Sequence, residues 1–383
     1  MVRRRVRCKS GLWIACAALP SLVAALTGCG GVMPLRGVSN RLTFDVVDND
    51  YVGAFPSLQA APDGSLHVSY YVARYGDHWG ALKYAYRSGD QWVTTYVDTA
   101  PVGDVGRNTS MALDSTGRVH IAYWDNANGA LKYATNRSGA WVTETVERTG
   151  PIGRGAALVL DPSDRVHIVY NGGGHLRYAT GHAGAWTLSA IADIGDVKMY
   201  PSLVLDRVGR LHLLFYDRKT GWIRYGLHAA DGWDLAPVAQ LGEGSPAPKL
   251  ALDSAGGLHA IFYDPRTAAL VYAHPVGSVW SVQPLDAVGD IGFDPRLGRE
   301  DSLGSTPAIV IDSADRIHVT YYDGRGHQMR YAVQDHGVWQ AATLDATGDV
   351  GRYSAIALGR AGELHVVYRD ATLNRLKHVR IAG

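Results

Sequence analysis

Seven histidines, His67, His120, His167, His212, His259, His318 and His365, recur at spacings of 53, 47, 45, 47, 59 and 47 residues. An acid stands six residues before five of them (Asp114, Asp161, Asp206, Asp253, Asp312) and an aspartate five residues after five (Asp125, Asp217, Asp264, Asp323, Asp370). A tyrosine series follows, Tyr84, Tyr133, Tyr178, Tyr225, Tyr272 and Tyr331. In one cleft these types would ligate a metal or move protons near neutral pH. Placed identically in every copy of a repeat, however, they lie on a ring of equivalent positions. A metal needs ligands converging within about 2.0–2.2 Å of one point. The histidines are therefore predicted to be buried imidazoles bonded to backbone or to the turn aspartate, and the tyrosines packing groups with hydrogen-bonded hydroxyls. The series Trp92, Trp141, Trp186, Trp233, Trp280 and Trp339 is read as core. The loop aspartates are read as turn caps, since no loop carries the dense D-x-D-x-D spacing of a calcium site. Neither a metal nor a cofactor is expected.

Chemistry is more plausible where the repeat is broken. The first copy has an enlarged loop, Val72 to Gly80, containing Tyr75, His78 and Trp79. The third replaces the usual loop aspartate by Asn171-Gly172-Gly173-Gly174-His175, and the stretch Gly292 to Asp301, with Arg296 and Arg299, accounts for the 59-residue spacing. Trp79, Tyr75 and His78 suit a sugar-stacking platform, while Arg218, Arg296 and Arg299 suit carboxylate or sulfate. Arg107, Arg154 and Arg352 occupy corresponding connections and would extend a basic rim. His175 and His327, with His78, supply the residue types of a lyase base, and Asp77, Glu300 and Asp301 those of a glycosidase pair. No spacing encodes either constellation.

The elements that hold these loops follow from the repeat. In each copy a short apolar run, such as Met111-Ala112-Leu113, precedes a turn and then a run such as Val119 to Trp124. A polar loop, Leu131-Lys132-Tyr133-Ala134, a second turn and the run from Trp141 to Val146 complete it. Runs of 4–7 residues rich in Val, Ile, Tyr, Trp and Thr, bounded by Gly, Asp, Asn and Ser, are strand and hairpin grammar. Four antiparallel strands per ~47 residues make one propeller blade. Gly64, Gly117, Gly209, Gly256 and Gly362, replaced by Asp164 and Asp315, mark a left-handed turn position. The loops after the second strand and those joining blades, with Asp104, Asp196, Asp290 and Asp349, are expected on one face.

The chain ends complement each other. Six copies open the fourth strand with Trp, but the seventh stops at Gly383 before reaching one. Leu42 to Asp48 matches Trp92 to Asp98 at an offset of 50 residues. This predicts an all-β, seven-bladed propeller over residues 41–383, closed by the N-terminal strand completing the last blade.

Residues 1–10 carry five basic side chains and no acid, an apolar stretch runs from Gly11 to Leu26, and Leu26-Thr27-Gly28-Cys29 follows. This resembles the lipobox of bacterial lipoproteins, which implies a signal peptide at residues 1–28, a lipidated Cys29 and a flexible tether at residues 29–40. Removing 1–28 leaves 32 basic against 36 acidic side chains, so lipid rather than charge would hold the protein at a membrane. Over the whole chain 37 basic and 36 acidic residues balance, which speaks against nucleic acid as a partner. With Cys8 and Cys16 inside the signal, no internal disulfide is available to the mature chain.

The pattern Asp-Ser-x-Gly-Arg-Val-His-Ile-x-Tyr, then Leu-Lys-Tyr-Ala, then Gly-x-Trp resembles the repeats of bacterial cell-envelope propellers grouped with the sialidase-like superfamily. The Asp-box, Ser-x-Asp-x-Gly-x-x-Trp, is absent: Arg137-Ser138-Gly139-Ala140-Trp141 has no Asp in register. Sialidase chemistry is thus not implied. The expected role is a monomeric, lipid-anchored envelope protein, at the outer membrane or cell surface, binding a glycan or a protein partner on its loop-rich face. The alternatives are a carbohydrate-active enzyme, lyase or glycosidase, and a scaffold subunit of an envelope complex.

Overall fold

A computed structural model describes residues 32–75, 78–99, 103–148, 150, 152–193, 200–229, 232–242, 244, 246–289 and 306–383. Side chains are described for these residues except 52, 53, 74, 75, 78, 79 and 152–154. Seven antiparallel sheets follow in chain order, each built from four strands of the repeat. The innermost strands include Val52–Ala60, Val105–Leu113, Ile152–Leu160 and Val350–Leu358. The second strands, such as Val119–Asp125 and Ile317–Asp323, are buried throughout, and apolar clusters fill the seams between successive blades.

Closure occurs as the termini predict. Leu42–Asp48 pairs antiparallel with Arg375–Ile381, as the outermost strand of the seventh blade. Even the irregularity repeats: the ladder shifts between Val46 and Asp48 here, and between Tyr96 and Asp98, 50 residues on, in the first blade. The stretch expected to be a tether differs. Met33–Pro34 adds a parallel fifth strand to the sixth blade, and Val38, in a short 3-10 turn at Val38–Arg41, is 5% exposed. An apolar residue that reaches a seam is buried there rather than left in solvent.

Each repeat histidine is a strut. Its Nδ1 meets the tyrosine hydroxyl of the third strand, at 2.5 Å for His120 with Tyr133 and 2.7 Å for His318 with Tyr331. In the five middle blades Nε2 faces the turn carboxylate, at 3.3 Å for Asp114 and 3.1 Å for Asp312, whereas His67 meets the Ser65 hydroxyl and His365 the Glu363 carboxylate. The tyrosine ring then receives the edge of the next blade's tryptophan, as in Tyr84 with Trp141, Tyr133 with Trp186 and Tyr272 with Trp339. In the seventh blade His378 takes the tyrosine's place, bonds His365 at 3.0 Å and receives Trp92 across the closure. The tryptophans are half-buried wedges at the seams rather than interior core.

A second set of seam contacts uses the tyrosine that stands three beyond the histidine in five blades, Phe215 and Phe262 taking its place in the other two. Tyr70 and Lys83 both bond Asp48, Tyr123 and Lys132 bond Asp98, and Tyr368 and Lys377 bond Asp345. Each carboxylate ends the outer strand of the preceding blade. Burial of these charges is tolerated because each is both paired and hydrogen-bonded.

Candidate functional site on the loop-rich face

The loops after the second strands and the connections between blades share one face. Asn126 N–H donates to the Asp104 carbonyl, Gly324 to Val288 and Ala371 to Asp349, each joining one loop set to the other. Buried Asp125, Asp217, Asp264, Asp323 and Asp370 cap their turns, accepting backbone N–H groups of Asn128, Thr220, Arg266, Arg325 and Leu373.

The face is built around Gly-Asp-Val-Gly-Arg, which occurs at residues 103–107 and 348–352. The second glycine lets the innermost strand lie against the preceding blade. A Cβ on Gly106 would fall 2.4 Å from the backbone of Leu82, and one on Gly351 2.7 Å from that of Met329, both at positive φ. The arginine then folds back onto its aspartate and onto a tyrosine four residues beyond a repeat histidine. Arg107 lies 2.6 Å from Asp104 and 5.0 Å over the Tyr71 ring. Arg352 lies 3.2 Å from Asp349 and 4.7 Å over Tyr322. The expected basic rim is therefore not formed by Arg107 and Arg352, whose guanidinium groups are neutralised and largely buried. The Arg154 side chain lies outside the described residues.

The two copies differ in what covers them. Gly80 is packed so tightly on the first that an added Cβ would fall 2.8 Å from the Tyr71 ring. The second is capped by His327, whose Nδ1 is 2.6 Å from the Tyr322 hydroxyl and whose side chain is 61% exposed. The Tyr322 hydroxyl donates to Asp349 at 2.9 Å and accepts from Arg352 at 3.2 Å. Its remaining lone pair accepts the His327 Nδ1–H, so the imidazole presents Nε2 outward as an acceptor. Burial, the neighbouring Arg352 and the Asp349 carboxylate act together on Tyr322, and the net effect raises its phenol well above the ordinary range. It is a fixed donor, not a base. His327 also holds φ 52°, a left-handed backbone that costs a β-carbon residue energy and that surrounding structure must enforce.

The other expected contact residues fall as follows. Tyr75, His78 and Trp79 belong to an extended hairpin, not an open loop: Arg74 pairs with Trp79 and Tyr75 with His78, and the strands run Leu66–Tyr75 and His78–Ser88. Their side chains lie outside the described residues, as do Arg296, Arg299 and Cys29 entirely. His175 is exposed and opens the third strand of the third blade, after a two-residue turn at Gly173 and Gly174 with φ 60° and 88°. Arg218 is exposed in the fourth blade. His327 is thus in a different blade from both. The grouping of Tyr322, Asp349 and Arg352 beneath His327 was not anticipated, although the duplicated Gly-Asp-Val-Gly-Arg with a tyrosine 27 or 33 residues upstream of its aspartate is visible in the sequence.

These features define a seven-bladed β-propeller of four-stranded antiparallel blades. Among solved structures it is similar to a triple arginine-to-alanine mutant of AofleA from Arthrobotrys oligospora, with TM-score 0.53, 12% identity and coverage of 79% of this chain and 90% of that one. A protein of unknown function from Dyadobacter fermentans gives TM-score 0.51, 13% identity and coverage of 89% and 98%. A Hadza microbial sialidase gives TM-score 0.48 and 14% identity, covering 87% of this chain and 66% of that one. At such identities the likeness is one of fold. No protein-family model and no curated protein matches the chain.

Proposed function

We propose that this protein is an exported, lipid-anchored propeller that binds a glycan through its loop-rich face, with His327 as a contact residue. The observation that carries the reading is the exposed imidazole of His327, its Nδ1 engaged by Tyr322 and its Nε2 open. A hydroxyl-rich ligand supplies donors for that nitrogen, and an acceptor fixed from behind loses little freedom on binding. Exposed His175 and Arg218 on the same face would contribute further contacts. The lipobox-like setting of Cys29 supports the anchor in this reading, with the cell envelope as the proposed location.

The test is retention of the detergent-solubilised full chain on a glycan array, with His327→Ala and Tyr322→Phe beside it. Retention of the parent, loss of at least tenfold in His327→Ala and a smaller loss in Tyr322→Phe support the reading. No retention across a broad panel, or retention indifferent to His327, overturns it. The same imidazole, with a free Nε2, also has the form of a general base. Product release from an acidic polysaccharide, abolished in His327→Ala, would replace binding by lyase chemistry. The anchor is tested separately: fatty-acid labelling of the parent and none of Cys29→Ser is the expected result.

A further inference from the structure

The innermost strands of all seven blades surround a central channel of about 290 Å3. Toward the loop-rich face it is crossed by aromatic rings. Phe55 of the first blade lies 5.8 Å from Tyr200 of the fourth and 4.8 Å from Tyr353 of the seventh, centroid to centroid, and all three are buried. These residues sit twelve before their repeat histidines, and Phe55 and Tyr353 take left-handed φ values of 63° and 51°. Two residues further along the fifth blade's strand, past buried Ala247, stands Lys249.

Lys249 is the one charged residue among the described residues lining the channel, and no carboxylate among them faces it. Its position carries serine in three other blades. Ser57, Ser110 and Ser202 accept the backbone N–H of Met111, Leu158 and Leu250 at 3.1, 2.9 and 3.0 Å. Their hydroxyl protons have no acceptor among the described residues. An ammonium with no carboxylate beside it among the described residues, and three hydroxyl protons without a described acceptor, around one channel are the donor set of an anion site. Desolvation lowers the amine to about 8, and no described carboxylate offsets it.

We propose that the central channel binds a small oxyanion, a carboxylate or phosphate group, with Lys249 as its counter-ion. The volume admits a small molecule. The aromatic plug shuts out the loop-rich face, so entry is from the opposite side. There a recess of about 530 Å3 opens beside Leu205, Leu252 and Ile311, the ends of three adjacent innermost strands, and its charged lining is Arg207 and Arg210 together with the turn carboxylates Asp206, Asp253 and Asp312. Lys249 belongs to the middle one of these three strands.

The experiment is reductive methylation of the detergent-solubilised full chain, read at Lys249 by peptide mass spectrometry, in chloride, inorganic phosphate or acetate at matched ionic strength. Phosphate, acetate or both are expected to slow modification of Lys249 at least fivefold while surface Lys219 is unaffected. The anion that protects identifies the class of ligand. The same anion should raise the melting temperature saturably, and Lys249→Met should abolish that response. Equal modification of Lys249 in all three salts overturns the proposal, as does a melting response that survives in Lys249→Met. If that variant does not fold, protection in the parent chain decides alone. None of these readouts depends on glycan retention at His327.

Discussion

The Asp164 carboxylate receives both the backbone N–H and the hydroxyl of Ser115, at 2.8 and 2.6 Å, and so ties the first turn of the third blade to that of the second. Asp315 does the same for Ser254. Both aspartates stand where the other blades have glycine, at φ 59° and 58°. The left-handed position that admits glycine or aspartate for a local reason thus serves, in two seams, as an interblade latch.

Two opposing effects set what happens when the latch is removed. Asp164→Gly loses the hydrogen bonds but relieves a left-handed backbone, so a change within about 0.5 kcal/mol is expected. Asp164→Ala loses the bonds and keeps the strain, and should cost about 1–2 kcal/mol. A double-mutant cycle with Ser115→Ala, by urea denaturation, should give a coupling of about 1 kcal/mol. A coupling near zero would show the contact to be idle.

Ring closure rests on Asp48, which holds Tyr70 at 2.6 Å and Lys83 at 2.7 Å. The Lys83 side chain is 5% exposed, and its other acid, Asp50, is half-exposed. Asp48→Ala strands this ammonium and should cost about 3–5 kcal/mol. Deleting residues 41–48 should be worse, lowering the melting temperature by several degrees. A melting curve unmoved by either change would mean the terminal strand does not close the ring in solution.

Acid should loosen the seams before it protonates the turn carboxylates. Burial lowers His67, His120, His167 and His318, and brings His365 down to about 4. Their folded values lie below the unfolded one near 6.5, so the unfolded chain binds more protons there. The contribution to stability is complete above pH 6.5 and is lost as pH falls toward 4. Asp114 behaves differently. Burial pushes it up, but hydrogen bonds from Thr116, Arg118 and His120 prevail and bring it to about 2, so its contribution is lost only below the ordinary carboxylate range. Urea unfolding from pH 7 to 4 should show a steady decline that His365→Gln makes shallower. A flat profile would contradict the buried, neutral histidines.

Lys249 gives the opposite sign at the alkaline end. Its folded value of about 8 lies below the ordinary 10.5, so stability rises with pH across that interval. At neutral pH the partly buried, channel-facing ammonium opposes folding by roughly 3 kcal/mol, taking 1.36 kcal/mol per pKa unit. Without phosphate or carboxylate in the buffer, Lys249→Met should therefore stabilise the protein by about that amount at pH 7, with the gain vanishing near pH 10.5. A destabilised variant would mean the ammonium already has a partner.

The repeat, its strands, the blade number and the closing strand are legible from the chain alone. Alternation of apolar residues, turn signals and the 50-residue match of Leu42–Asp48 to Trp92–Asp98 are local or periodic facts, and backbone pairing obeys them. The structural role of the seven histidines is legible for the same reason: a position repeated in every blade cannot converge on one point. What periodicity does not carry is a contact between residues of different copies. Tyr322, Asp349 and Arg352 are separated by up to 30 residues and belong to two blades, and each resembles its counterparts elsewhere until folding sets them beneath His327. Lys249 reads as one lysine in a strand until seven inner edges enclose it. Sequence fixes what each blade is, through its own hydrogen bonds and apolar faces. Only the closed ring decides which side chains are brought together, because burial and charge pairing at the seams and the axis are properties of neighbours.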